Sequence, residues 1–476
     1  KSCFQNAQRN CTIFALSSGL NPKGNAIAIN PYFWQRDCRS DRCINETKRL
    51  QKPRTALLTS FHDPKTGELI DKAIAIYFPS ESSYTGEDLC ELHVHGSHSV
   101  VASILEILGK MDNCRPSNAG EFTKRAFING KMDLTEAEGI SHLIASQTAA
   151  QRRHALKAVT GGLTQYYENW RKRLMEVIAY LEANIDFGED QLLDEEQLES
   201  VINKANLLRN EITTLLSDVS KKSERINSGV EIAIIGEPNV GKSSLINKLC
   251  QREISIVSPI TGTTRDVVEG LLDIGGYAVR ICDTAGIKDI TEPTQDVIEK
   301  EGIKRAISRA QNVDLIIYVI DRSTDDISKC VQHTSQKYGH ILQNANNLIY
   351  VVNKLDLIES DRVAALKRAN TKTNQCYISC KTSEGFNDFV DVLTQNIKAL
   401  CESVVDCETT FVTERHKSHL YKVAKNLEES TGYYNQDLAI SAYYLREACK
   451  ELSYITGRIC TEDILDVIFR DFCVGK

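Results

Sequence analysis

Gly236-Glu237-Pro238-Asn239-Val240-Gly241-Lys242-Ser243 sets the architecture of the middle of this chain. It has the spacing G-x-x-x-x-G-K-S. An apolar run at 230–235 precedes it and reads as a strand, and a helical run at 245–249 follows it. In that context the glycines let backbone N–H groups close around phosphate oxygens, the lysine reaches the β- and γ-phosphates, and the serine hydroxyl suits magnesium. The phosphate-binding set read from the loop is Asn239, Val240, Gly241, Lys242, Ser243 and Ser244.

Four further fragments follow downstream, in an order that a chance glycine turn does not produce. Ser258-Pro259-Ile260-Thr261-Gly262-Thr263-Thr264 comes first, with Thr264 placed to sense the γ-phosphate through magnesium. Asp283-Thr284-Ala285-Gly286 then ends an apolar run, which puts Asp283 near the outer shell of the metal. Asn353-Lys354-Leu355-Asp356 follows another strand-like run. A carboxylate at Asp356 can accept from the guanine N1–H and exocyclic amine, whereas adenine would leave it unpaired, so the expected base is guanine. Ser379-Cys380-Lys381 completes the series on the base side. The expected ligand is therefore GTP with Mg2+.

Around these fragments the period of the sequence alternates. Short apolar runs at 230–235, 278–282, 315–320, 348–352 and 376–379 are separated by helical stretches, which predicts a parallel sheet with helices on both faces. Residues 1–130 carry strand-like runs at 26–29 and 73–78 with turn signals at Asp63-Pro64, Thr66-Gly67 and Gly86, as a small α+β domain does. From Thr135, whose spacing to Glu138 is that of a capping box, helical periodicity takes over with Ile140, Leu143 and Ile144. The stripe Trp170, Leu174, Val177, Ile178, Leu181 and Ile185 continues it, and 191–228 is polar and helix-prone. After residue 400 the helical pattern returns with Leu438, Leu445, Ala448, Leu452 and Ile455, and stops at Gly457. The expected architecture is multi-domain: an α+β N-terminal domain at 1–130, a helical bundle domain made of 131–228 with 397–476, and an inserted α/β Ras-like P-loop GTPase domain at 229–396.

Composition limits the partners. The 476 residues hold 57 Lys and Arg against 64 Asp and Glu, a net charge of -7, so any nucleic-acid contact has to be local. No run reaches the roughly 18 apolar residues of a membrane span. The 16 cysteines are scattered without CxxC pairs and read as reduced thiols. The first eleven residues hold Lys1 and Arg9 and no acid, which suits the remnant of an organelle transit peptide and a place in the mitochondrial matrix. The alternative place is a bacterial cytoplasm.

Hydrolysis needs a group that Ras-like switches supply with a glutamine after Asp-Thr-Ala-Gly. Here that position is Ile287, which cannot hydrogen-bond water. A monovalent cation near the phosphates could bring the charge that an arginine finger otherwise brings. Asn239 is a neutral oxygen donor suited to it, and the carbonyls of residues 258–263 lie beside it in this reading. A loop-shaping role for Asn239 is an equal alternative.

Beyond the nucleotide fragments, several others point one way: Thr12-Ile13-Phe14-Ala15-Leu16-Ser17-Ser18, Thr85-Gly86-Glu87-Asp88, Gly120-Glu121-Phe122 with Arg125-Ala126-Phe127, Lys131-Met132-Asp133-Leu134, Ile185-Asp186-Phe187 and the terminal Phe472-Cys473-Val474-Gly475-Lys476. With them the chain resembles the MnmE (TrmE) family of tRNA-modifying GTPases over essentially its whole length. The resemblance implies that Asn239, Ser258, Ile260 and Thr263 hold potassium, that Ser243 and Thr264 hold magnesium, and that Glu299 orients the attacking water through a bridging water. It implies a TrmE-type G domain whose dimerisation goes with potassium-stimulated hydrolysis. It also implies a carboxymethylaminomethyl-type group on the wobble uridine of tRNA, or a taurinomethyl group in animal mitochondria. An MnmG-type FAD-containing partner would form a heterotetramer with a homodimer of this chain. The N-terminal domain would dimerise and bind 5-formyltetrahydrofolate or a related tetrahydrofolate through Glu91, Lys131 and Lys476. Where the family has an arginine in that set, this sequence has Asn30, and residues 30–54 depart from the pattern. Cys473 stands where the family carries a cysteine close to the folate and is a candidate reactive thiol, although an isolated cysteine is more often inert.

His93, His95 and His98 invite a zinc reading, but no acid or cysteine completes a tetrahedron in the sequence pattern, and packing roles fit better. Two other classes compete. A potassium-dependent switch in ribosome assembly would be expected to bring an RNA-binding appendage or a second nucleotide module, and a membrane-remodelling GTPase a basic amphipathic helix or lipidation signal. The sequence presents one phosphate loop and neither kind of appendage.

Overall fold

The computed structural model describes residues 11–18, 25–33, 52–187, 195–237, 239–252, 255–256, 271–282, 313–321, 347–357, 374–402, 412–460, 465, 468–470, 472 and 475. Contacts divide the chain into two compact units, residues 1–141 with 450–476 and residues 142–449.

In the first unit, strands β1 (Thr12–Phe14), β2 (Asn25–Phe33), β3 (Leu57–His62), β4 (Leu69–Phe78), β5 (Leu89–Gly96) and β6 (Cys114–Pro116) make a sheet in the order β3-β4-β5-β2-β1-β6. Its pairs are antiparallel except β1 with β6. Side chains alternate across it: Leu92 and Val94 of β5 are buried while Glu91, His93 and His95 are not. Helix α1 (His98–Gly109) starts at Ser97, whose Oγ accepts from the Val100 N–H at 3.2 Å. Its Val101, Ile104 and Leu108 pack with Phe14, Phe61, Ala73, Ala75, Cys90, Leu92 and Val94. Ile13 and Ala15, one step out of phase with Phe14, pack instead with Leu89 and with Phe122 of α2 (Glu121–Ile128). Leu134 and Ala137 of α3 (Leu134–Ala145) join Leu465, Phe469 and Phe472 from the end of the chain.

The capping box of α3 is two residues earlier than the spacing Thr135 to Glu138 predicts. Asp133 Oδ1 accepts from the Glu136 N–H at 2.9 Å, and the Asp133 N–H donates to Glu136 Oε2 at 2.8 Å. A carboxylate wins the position because it is both a strong cap and favoured at the positive helix end. Thr135 lies inside the helix, its Oγ1 donating to Asp133 Oδ1 at 2.7 Å.

The second unit opens with α4 (Ala149–Val159), α5 (Gly162–Phe187), α6 (Glu195–Thr214) and, after a π turn at Leu215–Val219, α7 (Ser220–Ser228). The α5 stripe is buried from Leu163 through Tyr167, Trp170, Leu174, Val177 and Leu181, but Ile185, one turn on, is 42% exposed. The indole N–H of Trp170 donates to Glu211 Oε2 on α6 at 3.0 Å, which satisfies its polar group inside the helix pair. Helices α8 (Lys242–Arg252) and α9 (Phe386–Cys401) belong to the sheet that follows α7, and after it come α10 (Glu414–Tyr433) and α11 (Leu438–Thr456); α10 packs on α6. Leu445, Ala448, Leu452 and Ile455 of α11 are buried, and the helix ends before Gly457 at φ 80°, where the sequence pattern puts the stop.

Between α7 and α10 runs the sheet of the nucleotide motifs. It contains β7 (Val230–Gly236), β8 (Ser255–Ile256), β9 (Leu271–Ile274), β10 (Tyr277–Cys282), β11 (Leu315–Asp321), β12 (Leu348–Asn353) and β13 (Gln375–Tyr377), in the order β13-β12-β11-β7-β10-β9-β8. The strands expected from the apolar runs all form and are mutually parallel. The sheet differs from a purely parallel one in that β8 and β9 add antiparallel at one edge. For β9 the cause is the Gly275-Gly276 pair between it and β10, at φ 60° and 87°, a two-residue turn that suits a hairpin. Helices α8 (Lys242–Arg252) and α9 (Phe386–Cys401) close the core, through Leu245 and Leu249 of the first and Phe386, Phe389, Leu393 and Ile397 of the second.

Candidate guanine-nucleotide site

Strand β7 has β11 on one side and β10 on the other, so the chain after it enters the crevice where the strand order reverses. That crevice, outside the carboxyl ends of the strands, is where open α/β sheets take ligands. The loop from Gly236 to Lys242 crosses it and ends in the first turn of α8. The unpaired N–H groups and positive end of α8 therefore face the phosphate position. Val240, 3% exposed, anchors the loop in the sheet core. The Lys242 ammonium donates to the carbonyls of Gly236 and Glu237, both at 2.7 Å, which holds its charge over the loop. Ser243 and Ser244 are exposed on the first turn of α8.

Asn353 joins this loop to the base side. It ends β12 and is 2% exposed. Its Nδ2 donates to the Val240 carbonyl at 2.9 Å, and its Oδ1 accepts from the Cys380 N–H at 3.1 Å. Gly241, at φ 101°, makes the approach feasible: a Cβ there would lie 2.2 Å from Asn353 Nδ2. Three residues on, Asp356 Oδ1 accepts from Ser379 Oγ at 2.6 Å, and Ser379 Oγ accepts from the Thr382 N–H at 3.1 Å. The hydroxyl of Ser379, and after it the charges of Lys381 and Lys354, hold the Asp356 carboxyl below its ordinary value. Asp356 is thus an ionised acceptor with one oxygen oriented by Ser379.

Of the five described non-glycine residues at positive φ, three lie in these loops: Asn239 at 63°, Lys354 at 66° and Ser383 at 70°. Strained backbone of this kind persists where surrounding contacts over-determine it. For Lys354 the contact is an ion pair with Asp321 Oδ2 at 2.5 Å.

Two residues of this site carry no motif signal. Asp321 ends β11 and fixes Lys354; a charged residue closing an apolar strand at the carboxyl edge was the available clue. Lys248, on α8, donates to the Cys380 carbonyl at 2.7 Å and lies over the Phe386 ring, 5.6 Å from its centroid. It braces the base loop against the phosphate helix. Lys248→Met keeps the aliphatic stem and removes the donor. GTP affinity is expected to fall about tenfold, the lower range for a hydrogen bond to a charged group, with turnover at saturating GTP unchanged. Calorimetry and saturation kinetics measure the two, and an unaltered affinity rejects the brace.

Ser258, Pro259, Ile260, Thr261, Gly262, Thr263, Thr264, Asp283, Thr284, Ala285, Gly286, Ile287 and Glu299 lie outside the described residues. Strand β10, paired Cys282 to Ala233 of β7, ends immediately before Asp283, so the third fragment does follow a strand of this sheet.

Of the residues assigned to folate, Glu91 stands on β5 with Oε2 2.9 Å from His93 Nε2. Lys131 donates to the Glu81 carbonyl at 2.6 Å. The backbone register sets Asn30 opposite Leu92 and Pro31 opposite Glu91. Gly475 lies against the Leu16–Ser17 backbone, while Cys473 and Lys476 are outside the described residues. His95 Nδ1 contacts Asp71 Oδ1 at 2.8 Å, and His98 opens α1. Among the described residues no group of three His, Cys, Asp or Glu side chains could hold a metal ion, and no helix is long and apolar enough to cross a membrane. The described cysteines are free thiols, and burial pushes Cys380 above its ordinary value, which makes it a poor nucleophile.

Comparison with known proteins finds matches along almost the whole chain. Residues 134–473 match the profile of the MnmE helical domain, and residues 12–131 that of the GTP-binding protein TrmE N-terminus. The chain is 38% identical over 482 residues to the mitochondrial 5-taurinomethyluridine tRNA synthase subunit GTPB3 of Danio rerio, covering 98% of this chain and 93% of that one. It is 39% identical over 495 residues to the mitochondrial tRNA modification GTPase gtpbp3 of Dictyostelium discoideum, covering 98% and 95%. With the tRNA modification GTPase MnmE of Rickettsia canadensis it shares 41% over 471 residues, covering 98% and 100%.

Proposed function

Because the chain belongs to the MnmE (TrmE) family of tRNA-modification GTPases, we propose that it binds GTP across the β7 crevice and couples its hydrolysis to modification of the wobble uridine of mitochondrial tRNA. It is a GTPase, and the relatives from Danio rerio and Dictyostelium discoideum are named as mitochondrial. The observation that carries the reading is Asn353, which hydrogen-bonds the phosphate loop with one end of its amide and the base loop with the other.

In this reading the loop amides and Lys242 bind the phosphates, and Asp356, oriented by Ser379, selects guanine. Ser243, an exposed hydroxyl on the first turn of α8, and Thr264 have the hard oxygen chemistry that magnesium takes; when bound, the ion neutralises charge on the β- and γ-phosphates. Asn239, Ser258, Ile260 and Thr263 would hold potassium, and the exposed loop position and amide oxygen of Asn239 suit it. Glu299 orients water where Ile287 cannot. Glu91 and Lys131 supply a carboxylate and an ammonium of the kinds a folate ring and its glutamate tail bind, with Asn30 and Lys476 completing the set. Residues 1–130, 131–228 with 397–476, and 229–396 act as folate and dimerisation, helical and G domains, and an MnmG-type flavoprotein supplies the redox half of the reaction.

Calorimetry with guanosine and adenosine phosphates tests the base assignment; equal affinities, or none, overturn it. Exchanging sodium for potassium tests the cation: turnover is expected to rise at least about tenfold, as a charge placed against the transition state provides, and equal rates in both salts reject it. Mass analysis of tRNA wobble uridines in depleted cells tests the product.

A further inference from the structure

Helix α4 carries Arg152, Arg153 and Lys157 and no acidic residue. Its buried side consists of Ala150, His154, Ala155 and Ala158. At 3.6 residues per turn Arg152, Arg153 and Leu156 fall on the opposite side with Lys157 at its edge, and all four are exposed. Among the described residues, none of the three cations is in an ion pair.

Folding does not account for this face. Arg152 and Arg153 stand in the first turn and a half, where the positive helix end disfavours cations. Arg153 and Lys157 are four apart, and like charges at that spacing repel. Only Lys157, in the last turn, complements the dipole. The charges are also held on a rigid support. Thr148 and Gln151 form a capping box, Gln151 Nε2 donates to the Asn227 carbonyl at 3.0 Å, and the Ala150 N–H donates to the Gly276 carbonyl at 2.9 Å. A chain of net charge -7 has to concentrate its attraction for a polyanion locally.

We propose that the outer face of α4 docks the phosphate backbone of the tRNA substrate, with Arg152, Arg153 and Lys157 as the contacts. The proposal rests on the function given above. Phosphate contacts fix position without reading sequence, so the face serves every tRNA the enzyme accepts.

The test uses the full chain and an unmodified tRNA transcript. The variant Arg152→Gln/Arg153→Gln/Lys157→Gln is compared with wild type, with the control Lys204→Gln/Lys398→Gln/Lys425→Gln, and with the charge-keeping Arg152→Lys/Arg153→Lys/Lys157→Arg. The neutral triple is expected to bind tRNA at least about tenfold more weakly, with the slope of log affinity against log salt reduced by about two to three. Its GTP turnover without tRNA should equal wild type, and the charge-keeping triple should bind tRNA like wild type. Wild-type affinity and slope in the neutral triple overturn the proposal, as does an equal loss in the control. So does loss of a protein partner with tRNA affinity intact, which assigns the face to protein instead. If wild type itself retains no tRNA, the tRNA function falls, and this surface with it.

Discussion

Asp356→Asn is expected to weaken GTP binding at least about a hundredfold and to make the site accept xanthosine triphosphate. The carboxylate offers two acceptors to the guanine N1–H and exocyclic amine. Hydrogen bonds to a charged group are worth about 1.5–3 kcal/mol each, and about 1.4 kcal/mol is a factor of ten in affinity, so losing the match costs roughly two to four powers of ten. Ser379 Oγ sits 2.6 Å from Asp356 Oδ1. An asparagine keeps that bond through its carbonyl oxygen, which turns its amide donor towards the base. Guanine then meets donor with donor, while the C2 carbonyl of xanthine meets a donor with an acceptor. Competition titrations with the two triphosphates give the ratio, and a ratio unchanged from wild type sinks the base assignment. The pH dependence follows with its sign. Because the Asp356 carboxyl is held below its ordinary value, it stays ionised down through the usual carboxylate range of about 4. GTP affinity should be flat from neutral pH to that range and fall only below it, as the group protonates.

What the sequence made legible divides by range. The phosphate loop and Asn353 to Asp356 are local signals, because each places backbone and side chain at a strand end within a few residues. In the structure they come together through Asn353 at the crevice beside β7. The braces are long-range. Lys248 finds the Cys380 carbonyl across 132 residues, and Asp321 finds Lys354 across 33; no periodicity encodes either. The hairpin of β9 and β10 was legible in principle from Gly275-Gly276, but apolar runs alone do not tell a parallel strand from an antiparallel neighbour. At α3 the spacing of Thr135 and Glu138 competed with that of Asp133 and Glu136, and the carboxylate cap prevailed. Helical stripes marked the buried faces of α5 and α11 well. They failed at Ile185, 42% exposed, because periodicity reports the phase of a side chain and not whether anything covers it.

Gly241→Ala is expected to abolish tight binding of GTP and GDP alike, with affinity at least about a hundredfold lower, and xanthosine phosphates should not restore it. A methyl group there lies 2.2 Å from Asn353 Nδ2, well inside contact distance, on backbone at φ 101°. Either the loop or Asn353 must move. The backbone strain alone is about 1–3 kcal/mol. If Asn353 moves, the Val240 carbonyl and the Cys380 N–H lose buried partners, at about 1–3 kcal/mol each. Both halves of the site suffer from one methyl group, because one amide serves both. The double variant Gly241→Ala/Asn353→Ala separates clash from strain. Asn353→Ala removes the atom that the methyl meets, so the steric part of the Gly241→Ala effect is absent from the double variant and the two losses should sum to more than the double shows. Losses that add within error would mean that the methyl acts through φ alone and that Asn353 does not couple the phosphate loop to the base loop. Wild-type affinity in Gly241→Ala would mean that the close approach of Gly241 to Asn353 is no part of the binding site.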